Sequence, residues 1–212
     1  KVGRDKLFKI LKDNNLLVKK RKRKIPGNYK KHAFETNPNK IKNLSIDRPE
    51  KVWVADITYI KVKDKWHYLS LVTDAYSKRI MGYAFSDNMT TQQTSIIALK
   101  RAMKKRRFSG QIIHHSDRGF QYCSPQFLKK LKNYNLIRSN TEKKDPYENA
   151  IAERVNGILK YEFDLRYTFS CEKLAENEIK KAINFYNSYR PHLSLNMNTP
   201  NQIHFKHYAN AS

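Results

Sequence analysis

The sequence predicts an α/β fold built on one mixed sheet, with helices packed on the faces of the sheet. Three successive segments, 52–60, 66–73 and 79–85, are rich in β-branched and aromatic residues, and a polar turn at 63–65 separates the first two. This pattern is typical of an antiparallel meander. Further along the chain, segments with helical spacing alternate with two short apolar strands, which adds parallel strands to the sheet. Five strands are expected in all.

The residues before the sheet are strongly basic. Apolar residues recur at helical spacing over 7–18, and residues 1–31 carry 13 Lys or Arg against two Asp. The charge culminates in a run at 19–24, which includes Arg21, Lys22 and Arg23. We interpret this run as a phosphate-binding arm, and the alternative is a solvated charge run without a specific target. Little periodicity follows until Pro49, so a tether is expected there.

Capping residues place the later elements. Ser124 and Pro125 are typical of a helix start, and Asp145, Pro146 and Glu148 form a variant of the capping box. The last helix must end before Pro191, because the residue preceding a proline is pushed out of the helical region. The predicted helices are 92–106, 125–133, 146–163 and 171–189, and the later strands are 111–115 and 136–140. The predicted parts are 1–48 (helical end, basic arm and linker), 49–165 (sheet-forming core) and 166–212 (C-terminal helical extension).

The composition favours some classes of protein over others. A net charge of +24 and a pI of about 10.0 favour a polyanionic partner, most commonly nucleic acid. An apolar content of 39% and an aromatic content of 12% disfavour a ribosomal or chromatin-like packing protein. Cys123 and Cys171 form no disulfide framework, and no apolar run is long enough for a membrane span, so a cytoplasmic location is expected. The helical pattern already running at residue 1 indicates a fragment of a longer chain.

Two aspartates lie at unusual positions on the predicted strands. Asp56 is in the middle of the most apolar strand, where an unpartnered charge would cost several kcal/mol. An edge position or a neighbouring Arg would also explain it. Asp117 lies just past the end of the fourth strand, and ligands collect at strand ends in open α/β sheets. Asp117 could equally form a turn in which Gly119 adopts the special backbone angles.

A third carboxylate lies on the helix predicted over 146–163. Glu153 points away from the apolar face of this helix and shares its side with Asn149, Asn156, Gly157 and Lys160. Taken alone, this is an ordinary solvated helix face. Together with the two aspartates, however, it offers carboxylate oxygens from three separate elements, which is what two Mg²⁺ ions need for phosphodiester chemistry.

Four motifs in the same order make the chain resemble the transposases of the insertion-sequence-three family, within the superfamily of DDE transposases and retroviral integrases. The spacing of 35 residues between Asp117 and Glu153 is part of the match. The motifs are Val52-Trp53-Val54-Ala55-Asp56-Ile57-Thr58-Tyr59, His115-Ser116-Asp117-Arg118-Gly119 with Gln121-Tyr122, Pro146-Tyr147-Glu148-Asn149-Ala150 with Ala152-Glu153-Arg154, and Tyr186-Asn187 with Arg190-Pro191-His192, Leu195 and Thr199-Pro200.

The resemblance implies a ribonuclease-H-like fold and a metal-dependent enzyme that cuts DNA at element ends and joins the freed 3′-hydroxyl to target DNA. It also implies that 49–165 is an integrase-type catalytic core and that 1–48 begins with the end of a helix-turn-helix region. The family's metal ligands fall on Asp56, Asp117 and Glu153, which would hold two Mg²⁺ ions, with Mn²⁺ able to substitute. Partners would be the terminal inverted repeats, target DNA and further copies of the chain that synapse two ends.

Further residues are predicted to contact DNA or to support the three carboxylates. The predicted DNA contacts are Lys160, Asn156, Asn149, Arg118, Arg190, Arg21, Lys22 and Arg23. Arg118 and Phe120 replace the Gln and Ser of many relatives, and His115 could orient Asp117 or simply pack. The zinc module of retroviral integrases is not found, since His204 and His207 lack Cys partners, and no structural zinc is predicted.

Two other functions remain open at this stage. A ribonuclease-H-type nuclease would use the same metals without strand transfer, but the motif at Arg190-Pro191-His192 disfavours it. A non-catalytic regulator that occupies element ends would be favoured by loss of one of the three carboxylates, and none is replaced.

Overall fold

The computed structural model describes residues 2–17, 37–142 and 149–209. The predicted strands and helices that fall in these ranges are found, in the predicted order. The elements are α1 (Arg4–Asp13), β1 (Val52–Val62), β2 (Lys65–Asp74), β3 (Ile80–Ser86), α2 (Ser95–Lys105), β4 (Ile112–Ser116), α3 (Phe120–Cys123), α4 (Pro125–Asn133), β5 (Leu136–Asn140), α5 (Ala150–Glu162), α6 (Glu172–Ser188), a 3₁₀ turn (Leu193–Leu195) and α7 (Pro200–Ala209).

The five strands form one mixed sheet, as predicted, in the order β3-β2-β1-β4-β5. The pairs β1–β2 and β2–β3 are antiparallel, whereas β1–β4 and β4–β5 are parallel. β4 pairs with β1 only from Val52 to Ala55. The β1–β2 hairpin therefore extends beyond the carboxyl end of β4, and Asp56 is the first residue of β1 past this pairing.

Helices cover both faces of the sheet, which confirms the predicted layers. On one face, Trp53 and Ala55 pack with Leu99 of α2 and Phe127 of α4. On the other face, a second cluster joins the sheet to α5 and α6 and contains Ile60, Leu69, Leu71, Ile80, Val155, Leu159, Ile179, Ile183 and Tyr186. Alternate strand residues point to opposite faces. The helix that carries Glu153 is thereby held over β1.

Local signals placed α4 correctly and missed other elements. The hydroxyl of Ser124 accepts a hydrogen bond from Phe127 N at 3.3 Å, which caps the helix at its predicted start. α3 and α7 were not predicted. The apolar residues of α7 do not recur on one face of the helix. The helix is held by polar contacts of His204 that no local pattern reveals. α2 begins three residues later than predicted, because the hydroxyl-rich segment before it forms turns.

Part of the predicted tether is packed rather than free. Ile41, Leu44 and Ile46 lie against a buried cluster on the sheet, and Lys40 N donates to Ser139 Oγ of β5 at 2.9 Å. Sparse apolar residues without periodicity gave no sign of this contact. The arm residues Arg21, Lys22 and Arg23 and the capping box at 145–148 lie outside the described residues.

In the described ranges, no helix is long and apolar enough to cross a bilayer.

Candidate active site

Asp56 is held on β1 by two hydrogen bonds, and its side chain is only partly buried. Ile57 N donates to Oδ1 at 2.8 Å, and Asn156 Nδ2, from α5, donates to Oδ2 at 2.7 Å. Neither partner carries a charge. Asp56 is therefore stabilised by amide donors and not by the neighbouring Arg that the sequence left open.

Asp117 immediately follows the last residue of β4. Ala55 and Ser116 are partners in the parallel pair, so Asp56 and Asp117 follow aligned positions on neighbouring strands. Gly119 N donates to Asp117 Oδ1 at 2.9 Å. The expectation that Gly119 adopts special backbone angles is wrong, since its φ is −62°. A Cβ there would lie 2.9 Å from Asp117 Oδ1, so the glycine leaves room for the carboxylate.

Glu153 lies in the first turn of α5 and is exposed, as the helical spacing predicts. The expectation that Asn149 and Asn156 share a solvated stripe with it is wrong, because both side chains are buried. Asn149 Nδ2 donates to the Ala55 carbonyl at 3.2 Å, and Asn156 binds Asp56. A helix packed on the end of a strand satisfies that strand's polar groups, and a helical wheel cannot show this. Their predicted DNA contact stays a prediction.

The three carboxylates act on one another electrostatically. The pKa of Asp56 is raised to about 7, mainly by burial and then by the negative charge of Asp117, with a smaller contribution from Glu153. The hydrogen bonds from Ile57 and Asn156 oppose this increase. The same negative charges act on Tyr122, since burial and the charges of Asp56 and Asp117 raise the pKa of its phenol. The site therefore has an excess of negative charge that a cation would relieve.

Other predicted site residues have protein partners. Arg190 forms a bidentate pair with Glu162, at 2.6 and 2.8 Å, and Arg118 Nε donates to the Thr141 carbonyl at 2.5 Å. Lys160 lies two turns after Glu153 on α5 and is half-buried. Their DNA contacts stay predictions.

Sequence reasoning missed the supports of the second aspartate. Asn140, at the end of β5, donates through Nδ2 to the Asp117 carbonyl at 3.1 Å and to Ser116 Oγ at 3.3 Å. His115, which was expected to orient Asp117 or to pack, has its ring Nδ1 2.9 Å from Ser139 Oγ on β5. The one clue was the position of a polar Asn at a strand end beside the strand that leads to Asp117.

The donor chemistry fits a divalent metal ion. Carboxylate oxygens are preferred by Mg²⁺, which keeps several waters and takes only one or two carboxylates from the protein. Among the described residues, no three His, Cys, Asp or Glu side chains are arranged as a ready-made metal cage. Asp56, Asp117 and Glu153 are thus not preassembled as a metal cage in this structure, and their role as metal ligands stays a prediction.

The fold and the motifs have counterparts in known proteins. The family described as Integrase core domain matches residues 46–146 in one model and 136–200 in another. The chain resembles a simian T-cell lymphotropic virus intasome chain, solved in complex with PP2A regulatory subunit B56 gamma, with a TM-score of 0.63, 20% identity and coverage of 81% of this chain and 59% of that one. The HTLV-2 integrase catalytic core domain, in complex with magnesium, gives a TM-score of 0.58 at 23% identity and covers 74% of this chain and 98% of the other. These structures support the ribonuclease-H-like fold.

Curated relatives identify the family. An uncharacterized 31 kDa protein of insertion element IS600 from Shigella sonnei is 32% identical over 213 residues, which cover 100% of this chain and 78% of the relative. Transposase InsF for insertion sequence IS3A from Escherichia coli (strain K12) is 31% identical over 206 residues, covering 94% and 69%. The recognition made from the motifs is confirmed: this chain belongs to the insertion-sequence-three family of transposases.

Proposed function

We propose that this transposase cuts and joins DNA at a site formed by Asp56, Asp117 and Glu153. The observation that carries the proposal is the convergence of three carboxylates from β1, the end of β4 and α5. Burial of Asp56, together with the negative charges of Asp117 and Glu153, raises its pKa to about 7. Structural carboxylates usually have cationic partners that lower the pKa. A carboxylate whose pKa is raised by burial and by neighbouring carboxylates is typical of a functional site.

The three carboxylates would hold Mg²⁺, as two ions, and Mn²⁺ would substitute for it. A divalent metal bound here supplies activation of the attacking oxygen and stabilisation of charge on the leaving oxygen. The chain contributes positioning. Asn156 fixes Asp56 Oδ2, and the Gly119 amide fixes Asp117 Oδ1. Oriented side chains lower the entropic cost of bringing the reacting groups together.

The substrate in this proposal is double-stranded DNA, namely the terminal inverted repeats of the element and a target duplex. The chain's net charge of +24 favours such a polyanion. Arg118 follows Asp117 in the loop after β4, and Lys160 lies on α5 two turns after Glu153. Both would contact DNA phosphates near the site. Synapsis of two element ends would require at least two copies of the chain.

The test compares the parent with Asp117→Asn and Glu153→Gln on labelled element-end duplexes in Mg²⁺ or Mn²⁺. Glu178→Gln is a matched control, since Glu178 is a half-buried glutamate on α6 that pairs with Lys181. Both site variants should lose cleavage and joining, while the control keeps both. Site variants that cleave and join as well as the parent would refute the carboxylate assignment.

A second readout is independent of activity. A metal that binds the folded chain and not the unfolded one raises the melting temperature, and the increase grows with the logarithm of metal concentration once it exceeds the Kd. Mg²⁺ should therefore stabilise the parent and Glu178→Gln, but not Asp117→Asn. Cleavage without joining would favour the ribonuclease-H-type nuclease instead. Tight binding of element ends without any cleavage by the parent would favour the non-catalytic regulator.

A further inference from the structure

The β1–β2 hairpin carries an exposed aromatic face made of Tyr59, Trp66 and Tyr68. Tyr59 and Tyr68 are direct cross-strand partners, and their ring centroids are 5.4 Å apart. Trp66 meets Tyr59 edge-on at 6.2 Å. Tyr59 and Trp66 are 45% and 54% exposed. Three rings thus form one contiguous surface in contact with solvent.

This aromatic face continues the sheet face that α2 and α4 cover. Residues at every second position of β1 share a face, so Tyr59 lies on the same side as Ala55 and Ile57, which belong to or pack on the buried cluster. That packed cluster extends along β1 only as far as Ile57. Cross-strand pairing explains the contact of Tyr59 with Tyr68. It does not explain why a tryptophan is exposed at position 66. The cross-strand partner of Trp66 is Lys61, and about half of the Trp66 surface is in contact with water.

One lysine lies against the aromatic face, and two more are at the adjoining hairpin turn. Lys61 Nζ lies 5.6 Å from the centre of the Trp66 ring, and Lys63 and Lys65 are exposed at the hairpin turn, where Asp64 is the acidic residue. Aromatic rings interleaved with lysines are the arrangement by which proteins bind unpaired nucleotides, since bases stack on rings while the cations contact phosphates. An apolar protein partner would not require the lysines.

We infer that the aromatic face binds unpaired nucleotides of the DNA substrate by stacking a base on Trp66, which Tyr59 supports by its edge-on contact. This inference rests on the proposed function for its substrate. Tyr59 lies three residues after Asp56, about 10 Å along β1. β4 stops pairing with β1 at Ala55, and Phe169 bridges to the same strand at Val62. Among the described residues, the edge of β1 therefore has no strand partner between Asp56 and Ile60. A DNA strand that leaves the carboxylates can pass over this edge to the rings.

The test measures binding in metal-free buffer, so that it does not depend on catalysis. Two labelled oligonucleotides of equal length and charge are compared, a short oligothymidylate and an abasic analogue that lacks bases. The parent should prefer the oligothymidylate by about tenfold, the scale of one base–ring stack. Trp66→Ala should abolish this preference, and Trp66→Phe should keep most of it. Tyr189→Ala, which removes a 66% exposed ring at the end of α6, is the control and should leave it unchanged.

Trp66 also reports binding directly. Trp53, the other tryptophan, is 0% exposed, so quenching of tryptophan fluorescence by the oligothymidylate should vanish in Trp66→Phe. Equal affinity of the parent for both oligonucleotides would overturn the inference, as would a base preference that survives Trp66→Ala. A Trp66→Ala variant that lost self-association while the parent showed no quenching would identify a second copy as the occupant instead. Failure of the proposed function would leave the base preference intact and would be detected separately, as a parent that does not cleave.

Discussion

At the scale of single residues, the pKa of Asp56 is set by effects that oppose one another. Burial and the charges of Asp117 and Glu153 raise its pKa, and two hydrogen bonds hold it down. The bond from Asn156, at 2.7 Å, comes from the helix that also carries Glu153. Asn156 therefore acts on the site through Asp56, as a positioning residue.

Replacement of Asn156 by Ala should make metal-dependent cleavage more sensitive to acid. Loss of the donated hydrogen bond raises the pKa of Asp56 above about 7, and a metal ligand must be deprotonated. Asn156→Ala should need more Mg²⁺ than the parent at pH 6.5, with the difference closing by pH 8.5. The measurement is the Mg²⁺ concentration for half-maximal cleavage at each pH. Asn149→Ala is the control, since Asn149 binds a backbone carbonyl instead, and an identical pH dependence in both variants would contradict this role.

Replacement of Asp56 by Asn should stabilise the metal-free chain at neutral and alkaline pH. The pKa of Asp56 is about 7 in the folded chain against a reference value of 3.8, so the folded state binds more protons between these values. Stability of the parent therefore falls as pH rises from about 4 to 7 and stays low above. In EDTA, Asp56→Asn should melt at a higher temperature than the parent at pH 8, with the gap narrowing toward pH 4. A gap that is constant with pH would show that Asp56 is not the titrating group.

At the scale of elements, the contact between β3 and α2 depends on a missing side chain. A Cβ at Gly82 would lie 2.5 Å from Ala102 N and 3.0 Å from Ala102 Cα, and it would also contact the Ala98 carbonyl. These are backbone atoms of a helix, which cannot rotate away. Gly82 thus allows α2 to lie directly on the edge strand β3, next to the buried Ala98 and Ala102.

Gly82→Ala should destabilise the chain by about 1–3 kcal/mol or more, because α2 must move away from β3. The measurement is the urea midpoint of unfolding. Gly3→Ala is the matched control, since nothing lies within 4 Å of a Cβ at that position, and it should leave the midpoint within error. A Gly82→Ala midpoint equal to that of the parent would mean that β3 and α2 are not tightly packed.

At the scale of the whole molecule, a buried polar network connects the end of the chain to the start of the sheet. His204 of α7 and Glu50, which precedes β1, are both fully buried, with Nε2 and Oε1 3.3 Å apart. Ser77 Oγ lies 3.0 Å from His204 Nδ1 and donates to Asp74. Burial raises the pKa of Glu50, but hydrogen bonds from His204 and from two backbone amides outweigh it and leave the pKa below its ordinary value. The network thus fastens α7 to the catalytic core.

His204→Leu should destabilise the chain by about 3 kcal/mol, because it leaves the Glu50 carboxylate buried without its side-chain partner. A lowered carboxylate pKa contributes stability that is present above pH 4.5 and is lost in more acidic solution. The difference in the free energy of unfolding should therefore be largest near pH 7 and shrink below pH 4.5. His207→Leu, at an exposed position of the same helix, should change little. Equal effects of the two variants would exclude the network as the cause.

Much of this fold is determined by patterns within a few residues of each other. β-branched strands, the Ser124 cap and the helical spacing around Glu153 each express a local preference, so the order of elements and the mixed sheet could be predicted. The three carboxylates were found because their spacing and flanking motifs resemble those of a family. The packing of residues 41–46 and the existence of α7 could not be predicted, since their contacts are with residues far away in the chain.

The sequence by itself determined the type of each central strand and helix, the basic character of the chain and the identity of the three carboxylates. Only the tertiary structure decided what surrounds them. Asn149 and Asn156, which the helical spacing places on a solvated face, are buried and donate hydrogen bonds to β1. The aromatic face of the hairpin is exposed. The physical reason is that burial and charge repulsion depend on distances between elements. Local spacing fixes which side of an element a residue faces, but not what lies opposite.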